Sequence, residues 1–261
     1  MDDDIRRVWA ERAVRAVNEV FPATKYFNWP LCDRLIRHAL ALAPLIEKYG
    51  FDFPEATRLL NQAGYYLDGR AQYAEAEPLY VRALGLREKA LGAKSPFVAT
   101  SLTNLAGLYK NQGKYAEAEP LLVRALAIFE KALGVEHPEV ATSLTNLALL
   151  YDNQGKYEEA EPLYERALSI REKVLGVEHP EVAHSLYCFA GHHDQQKKYA
   201  QAEPLYQRAL SNYEKALGPE HPLVVRLIGH YASSLRSMNK NTEAENLEAR
   251  VSAVRNRNAP R

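Results

Sequence analysis

A spacing of 42 residues governs this chain. Proline recurs in Ala-Glu-Pro-Leu at Pro78, Pro120, Pro162 and Pro204, and tyrosine recurs at Tyr73, Tyr115, Tyr157 and Tyr199. A second proline series, Pro54, Pro96, Pro138, Pro180 and Pro222, keeps the same interval. Residues 98–139 and 140–181 differ at only eight places: Gly107/Leu149, Lys110/Asp152, Ala116/Glu158, Leu122/Tyr164, Val123/Glu165, Ala127/Ser169, Phe129/Arg171 and Ala132/Val174. A unit this short cannot hide its own apolar face, so neighbours must stack to make a core. The period therefore implies an all-α solenoid of antiparallel helix pairs.

The stretch from Pro96 to Gly134 shows the pattern. Ser95 is expected to cap the first helix, and Pro96 suits its first turn, where a missing N–H costs nothing. Leu102, Leu105, Ala106, Leu108 and Tyr109 recur at helical spacing. Gly113 then supplies a left-handed residue that ends this A helix. A second, B helix is expected from Lys114 to Leu133, burying Tyr115, Ala118, Leu121, Leu122, Ala125, Ile128 and Phe129. Ala106, Ala118 and Ala125 are small enough to bring the two helices close. Pro120 removes one backbone hydrogen bond in the B helix and is expected to kink it.

The ends are less regular. Residues 222–256 keep Ala244-Glu245 but carry Asn241 and Asn246 where tyrosine and proline belong. Residues 30–49 match a B helix only in phase, with Leu31 and Ile36 at those two places, and a helix from Asp2 to Val20 is expected before them. The expected division is an irregular helical cap over 1–53, four regular repeats over 54–217, and a degenerate last repeat, cap and tail over 218–261.

The string Asn-Leu-Ala-x-Leu-Tyr-x-Asn-Gln-Gly-Lys-Tyr-x-Glu-Ala-Glu-Pro-Leu, followed by Arg-Ala-Leu and Leu-Gly-x-Glu-His-Pro, stands at 104–138 and 146–180. It resembles the tetratricopeptide repeat of kinesin light chains and their prokaryotic relatives, over about residues 54–256. The resemblance implies a right-handed superhelix whose A helices line a concave groove for a protein or extended peptide. Groove asparagines there bond the ligand backbone, which maps onto Asn104 and Asn146; Gln62, Cys188 and His230 hold that place in the other repeats. The groove neighbours implied by helical phase are Arg58, Asn61, Tyr65 and Asp68 in the first repeat. In the second they are Thr100, Thr103, Lys110 and Asn111, and in the third Thr142, Leu149, Asp152 and Asn153. The fourth offers His184, Tyr187 and Asp194, and the fifth Arg226 and Arg236.

Chemistry of other kinds is not visible. Lys plus Arg equals Asp plus Glu at 33 each, without the basic excess that phosphate binding uses. The arginines Arg250, Arg255, Arg257 and Arg261 read as a solvated last helix and tail. Cys32 and Cys188 form neither a disulfide framework nor a paired metal spacing. The charged N-terminus leads into no apolar stretch, and no run approaches a membrane span, so a cytoplasmic setting is expected. Gly-rich phosphate loops and hydrolase or metalloprotease motifs are lacking, so no enzyme activity and no cofactor are expected. Glu117 and Glu119 recur on the B helices as an expected solvated face. His137, His179 and His221 recur in Glu-His-Pro and are expected to be structural, where each A helix begins.

The fourth repeat departs from its neighbours with Tyr187-Cys188-Phe189-Ala190-Gly191-His192-His193-Asp194. His184, Cys188 and His192 share one helix face, but the outer two lie about 12 Å apart along a helix, too far for one ion. A metal clamp of His184, Cys188 and His230 is the remaining arrangement. His192 and His193 stand where Leu150 and Tyr151 are core residues, so this repeat is expected to be the softest. Three functions follow: a protein- or peptide-binding scaffold, self-assembly through the terminal repeats, and a metal-responsive regulator.

Overall fold

The computed structural model describes residues 2–23 and 28–257, with side chains up to Ser252. Arg261 and the side chains of Arg255 and Arg257 lie outside the described residues, so the reading of the C-terminal arginines stays with the sequence. Among the described residues twelve α-helices run in order: α1 (Asp3–Val20), α2 (Trp29–Tyr49), α3 (Pro54–Gly69), α4 (Tyr73–Leu91), α5 (Pro96–Asn111) and α6 (Tyr115–Leu133), then α7 (Pro138–Asn153), α8 (Tyr157–Leu175), α9 (Pro180–Gln195), α10 (Tyr199–Leu217), α11 (Pro222–Ser237) and α12 (Asn241–Arg257). The 42-residue unit is one helix pair, and five such pairs follow the irregular pair α1/α2. No helix among the described residues is long and apolar enough to cross a membrane. The helices gather into two compact bodies, Met1–Leu133 and Gly134–Arg261.

The alanines at fixed register do what their size allows. Ala63, Ala76, Ala83, Ala106, Ala118 and Ala125 are fully buried in the first body, and Ala148, Ala160, Ala167, Ala190, Ala202 and Ala209 in the second. Larger side chains fill the space between pairs: Leu59, Leu60, Leu67, Leu79 and Tyr80 in the first body, and Leu186, Tyr206, Leu227 and Tyr231 in the second. The B helices continue through Pro78, Pro120, Pro162 and Pro204 without a break.

The caps differ from expectation at one place. Ser95 makes no side-chain cap bond. The histidines do: Nδ1 of His137, His179 and His221 accepts the backbone N–H of Glu139, Glu181 and Leu223 at 3.2, 3.1 and 3.2 Å. An imidazole nitrogen thus does the work of the usual cap oxygen, which explains why Glu-His-Pro recurs.

The turn from A helix to B helix needs a left-handed residue. Gly113 and Gly155 supply it at φ 74° and 75°, while Ala71, Lys197 and Asn239 occupy the corresponding places at 57°, 60° and 62°. A Cβ in that region meets the following carbonyl oxygen, at a cost of about 1–2 kcal/mol. Lys197→Gly is therefore expected to stabilise the second body by about 1 kcal/mol, less the entropy glycine gains when unfolded. A shift of the urea midpoint upward at unchanged slope is the expected reading; a shift downward would contradict it.

Charges that recur with the repeat are paired, not idle. Glu77, Glu161 and Glu203 of the Ala-Glu-Pro motif meet Lys114, Lys198 and Lys240 of the following repeat at 3.5, 4.0 and 2.6 Å. Arg124 meets Glu88 and Arg208 meets Glu172, both at 2.6 Å. This corrects the reading of the motif's second glutamate as merely solvated. Each pair is solvent-accessible and contributes about 0–1 kcal/mol, so the ladders favour register more than stability.

Candidate partner-binding face

In the first body, α3 and α5 lie side by side and bring the expected amides together. Asn104 Nδ2 donates to Asn61 Oδ1 at 3.0 Å, and Asn111 Nδ2 donates to Asp68 Oδ1 at 3.0 Å. Asn61, Gln62, Thr103, Asn104 and Lys110 are half-buried, Asn111 is exposed, and Tyr65 stands 53% exposed beside them. Thr100 and Thr103 turn their hydroxyls back to Pro96 O and Ala99 O at 3.2 and 3.0 Å. Arg58 sits apart: Nη1 donates to Asn18 O and Oδ1, both at 2.8 Å, and Nη2 to Phe21 O at 3.3 Å. It satisfies carbonyls at the C-terminal end of α1, a place where positive charge is favoured.

In the second body Asn146 and Leu149 are half-buried and Asn153 is exposed. Tyr187 lies between Arg226, 5.8 Å from its ring centroid, and His230, whose ring meets it edge-on at 5.6 Å. An open depression of about 730 Å³ runs along α11, lined by Pro222, Val225, Arg226, Gly229, His230 and Ser233 with Glu220. Cys188 Sγ lies 3.8 Å from His184 Nε2. His230 faces Tyr187 instead of joining them, and no three His, Cys, Asp or Glu side chains gather into a metal-binding group among the described residues.

Asp152 is a correction. The sequence put it in the groove, but it is buried, accepting from Tyr164 OH at 2.8 Å and meeting His192 Nδ1 at 2.6 Å. Asp194 likewise accepts from Tyr206 OH and Ser234 Oγ, both at 2.7 Å. Arg236 pairs with Glu248 at 2.6 Å. All three residues lie in the last turn of an A helix, where the chain folds back, so their side chains reach the B helix twelve residues on instead of a ligand.

That geometry also corrects the account of the fourth repeat. A carboxylate only accepts, so His192 carries its proton on Nδ1, and its Nε2 can then accept from the Gln196 amide, whose Nε2 is 2.7 Å away. His192 is fully buried and fully partnered, and the expected weakness does not lie there. His193 differs: its Nδ1 is buried with no hydrogen-bond partner. Burial pushes His184 and His193 below the ordinary imidazole value of 6.5. The unfolded chain therefore takes up protons first as pH falls. Stability is expected to drop through about pH 6.5 and level off once both imidazoles protonate in the folded chain. His193→Tyr restores the residue found at Tyr151, and should raise stability by about 1 kcal/mol while flattening this slope. Denaturation midpoints from pH 8 to pH 5 read both effects, and an unchanged slope would contradict the assignment.

Arg171 was not singled out by sequence reasoning beyond its difference from Phe129. It is 2% exposed in the core of the second body. Nη1 donates to Ser185 Oγ at 2.6 Å, Nη2 to Thr142 Oγ1 at 3.0 Å, and Glu181 lies 3.4 Å away.

Known proteins share this architecture. A kinesin-light-chain-like protein of Podosopora anserina with nearly identical TPR-like repeats is 26% identical, aligns over 78% of this chain and 98% of its own, and superposes with a TM-score of 0.64. A single-substitution variant of that protein is 28% identical over 76% of this chain and 94% of its own, with the same TM-score. BtubC (BKLC) from P. vanneervenii, at 19% identity, aligns over 97% of this chain and 95% of its own with a TM-score of 0.69, a likeness of fold. No curated protein gives a significant match. The tetratricopeptide repeat model matches residues 55–130, 98–173, 151–215 and 181–257. These overlapping stretches cover the helix pairs whose period, caps and packing were described above, and the chain belongs to the tetratricopeptide repeat family.

Proposed function

We propose that the chain is a non-catalytic, cytoplasmic scaffold that holds a partner protein or an extended peptide on its A helices. The Asn61–Asn104 pair carries this reading. Each side-chain amide offers two donors and a carbonyl with two lone pairs, and their mutual bond uses one donor and one lone pair. The rest can bond a peptide backbone, and exposed Tyr65 adds a rigid aromatic contact beside it. Recognition of this kind suits a family whose members generally bind proteins, with the particular ligand set by the side chains on the scaffold. The irregular pair α1/α2 then serves as a cap, as does the polar helix α12. Proximity labelling with the intact chain and with Asn104→Ala/Asn146→Ala tests this: a partner captured by the first and lost with the second supports it, and unchanged capture overturns it.

One observation favours a second reading. Ile5, Val8 and Trp9 share one face of α1 and are 48–59% exposed. An apolar strip on a terminal helix suits self-association. Sedimentation mass rising with concentration, and returning to monomer on Trp9→Glu, would support it; a monomer at all concentrations would end it.

A further inference from the structure

The two buried-face arginines of the array, Arg87 and Arg171, occupy equivalent places 84 residues apart, and their surroundings differ in a way that points to a ligand. Each donates to a serine fourteen residues on: Arg87 Nη1 to Ser101 Oγ at 2.7 Å, Arg171 Nη1 to Ser185 Oγ at 2.6 Å. Arg171 also has an acid ten residues on, Glu181 at 3.4 Å. The residue ten on from Arg87 is Phe97. Arg87 accordingly makes its other bond to a neutral acceptor, Phe97 O at 3.1 Å, and that bond also leaves from Nη1. Its Nε and Nη2 have no partner among the described residues.

No acid forms an ion pair with Arg87 among the described residues, although Asp52 lines the same cleft. Glu55, the equivalent of Glu139, is drawn into an ion pair with Arg15. Where Thr142 stands beside Arg171, the first body has Arg58, whose guanidinium turns to Asn18 and Phe21 at the end of α1 and leaves Arg87 the unpaired cation of the cleft among the described residues. Burial alone accounts for the downward pull on Arg87, whereas Glu181 and Glu139 both offset burial at Arg171. Arg58 and Arg87 together line a cleft of about 420 Å³ with Pro54, Ala90, Leu91 and Phe97, and with Asp52 and Glu55 at the same site. Phe97 is 62% exposed and Leu91 52%. Leu91 ends α4 and Phe97 stands in the first turn of α5, and neither Asn61 nor Asn104 lines this cleft.

We infer that this cleft is a second docking site, taking from a partner protein an acidic side chain followed by an apolar one. The carboxylate replaces the counter-ion that Glu181 provides to Arg171, and the apolar side chain covers Phe97 and Leu91. A small carboxylic acid confined to the cleft would leave the outward ring of Phe97 wet, so the geometry favours a segment of protein. The volume falls within the range of ligand clefts, and of the four charged side chains that border it Glu55 is paired with Arg15 and Arg58 with the end of α1. A half-buried guanidinium with free donors is suited to bidentate capture of a carboxylate.

The probe is a fluorescein-labelled hexapeptide, Gly-Glu-Phe-Asp-Leu-Gly with a C-terminal amide, compared with the same peptide carrying Gln and Asn in place of the acids. Fluorescence polarisation with the full chain should show the acidic peptide binding on the order of tenfold more tightly, the worth of one charge-assisted hydrogen bond, and weakening with salt. Phe97→Glu supplies the missing counter-ion in cis, and should abolish binding while leaving thermal stability equal or higher, so loss cannot be laid to misfolding. Asn104→Ala should leave this binding unchanged, which separates the cleft from the A-helix reading. Equal affinity for the two peptides, no binding of either, or full binding by Phe97→Glu would each overturn the proposal. Binding of 4-phenylbutyrate without binding of the acidic peptide would overturn the partner-protein assignment in favour of a free carboxylic acid.

Discussion

Asp152→Ala should destabilise the second body by about 2–5 kcal/mol, the cost of leaving two buried donors without an acceptor at about 1–3 kcal/mol each. Asp152 sits inside the fold with Tyr164 OH at 2.8 Å and His192 Nδ1 at 2.6 Å. Without the carboxylate both donors face apolar surroundings: the Tyr164 ring stacks on Phe189 at 5.7 Å, and His192 lies among Tyr157, Tyr164 and Phe189. Neither donor can turn to water without opening the pair. Asp152→Asn keeps one acceptor and should cost less than half as much. Because three residues share one network, Asp152→Ala and His192→Leu should be strongly non-additive, with the double variant more stable than the sum predicts. Urea unfolding of the four chains in that cycle gives the numbers. Additive losses, or a loss near 1 kcal/mol for Asp152→Ala, would mean the network is not intact in solution.

Arg171 should show the opposite behaviour under two substitutions. Arg171→Ala leaves a cavity and strands the buried Ser185 hydroxyl, and should cost about 2–4 kcal/mol. Arg171→Phe should fall within about 1.5 kcal/mol of the parent, because well-packed apolar groups often replace buried ionic ones without loss. The array itself contains this alternative: Phe129 holds the same register and is buried. The same unfolding curves decide the matter, and equal losses for Ala and Phe would show that the ion pair with Glu181 is indispensable.

The period of the prolines and alanines made the fold legible, because small residues at a fixed interval fix how closely helices approach and where each begins. Helices α5 and α6 begin and end within a residue of where Ser95-Pro96, Gly113 and Gly134 place them. Contacts that depend on the direction of one side chain were harder to read. Helical phase puts Asp152 near the same face as Asn146, but it lies in the last turn of α7, where the chain folds back and Tyr164 comes within reach. The signal was nonetheless present: Lys110 accompanies Leu122, Asp152 accompanies Tyr164, and Arg236 accompanies Glu248, always twelve residues apart. Residues that change together at a fixed offset are partners, and reading them so would have removed Asp152 from the groove. The histidines were placed at the helix starts as structural residues, but their capping bond was not read. Nδ1 is not the usual cap acceptor, so Ser95 drew attention while His137, His179 and His221 carried the role.

Photo-crosslinking from single positions tests the binding face most directly. A benzophenone side chain placed at Tyr65, on the A helices, and separately at Val123, exposed on α6, reports which surface a partner touches in lysate. The account predicts a discrete adduct from position 65, its loss on Asn104→Ala, and none from position 123. An adduct from position 123 that persists in Asn104→Ala, with none from position 65, would place the working surface on the B helices and contradict the account.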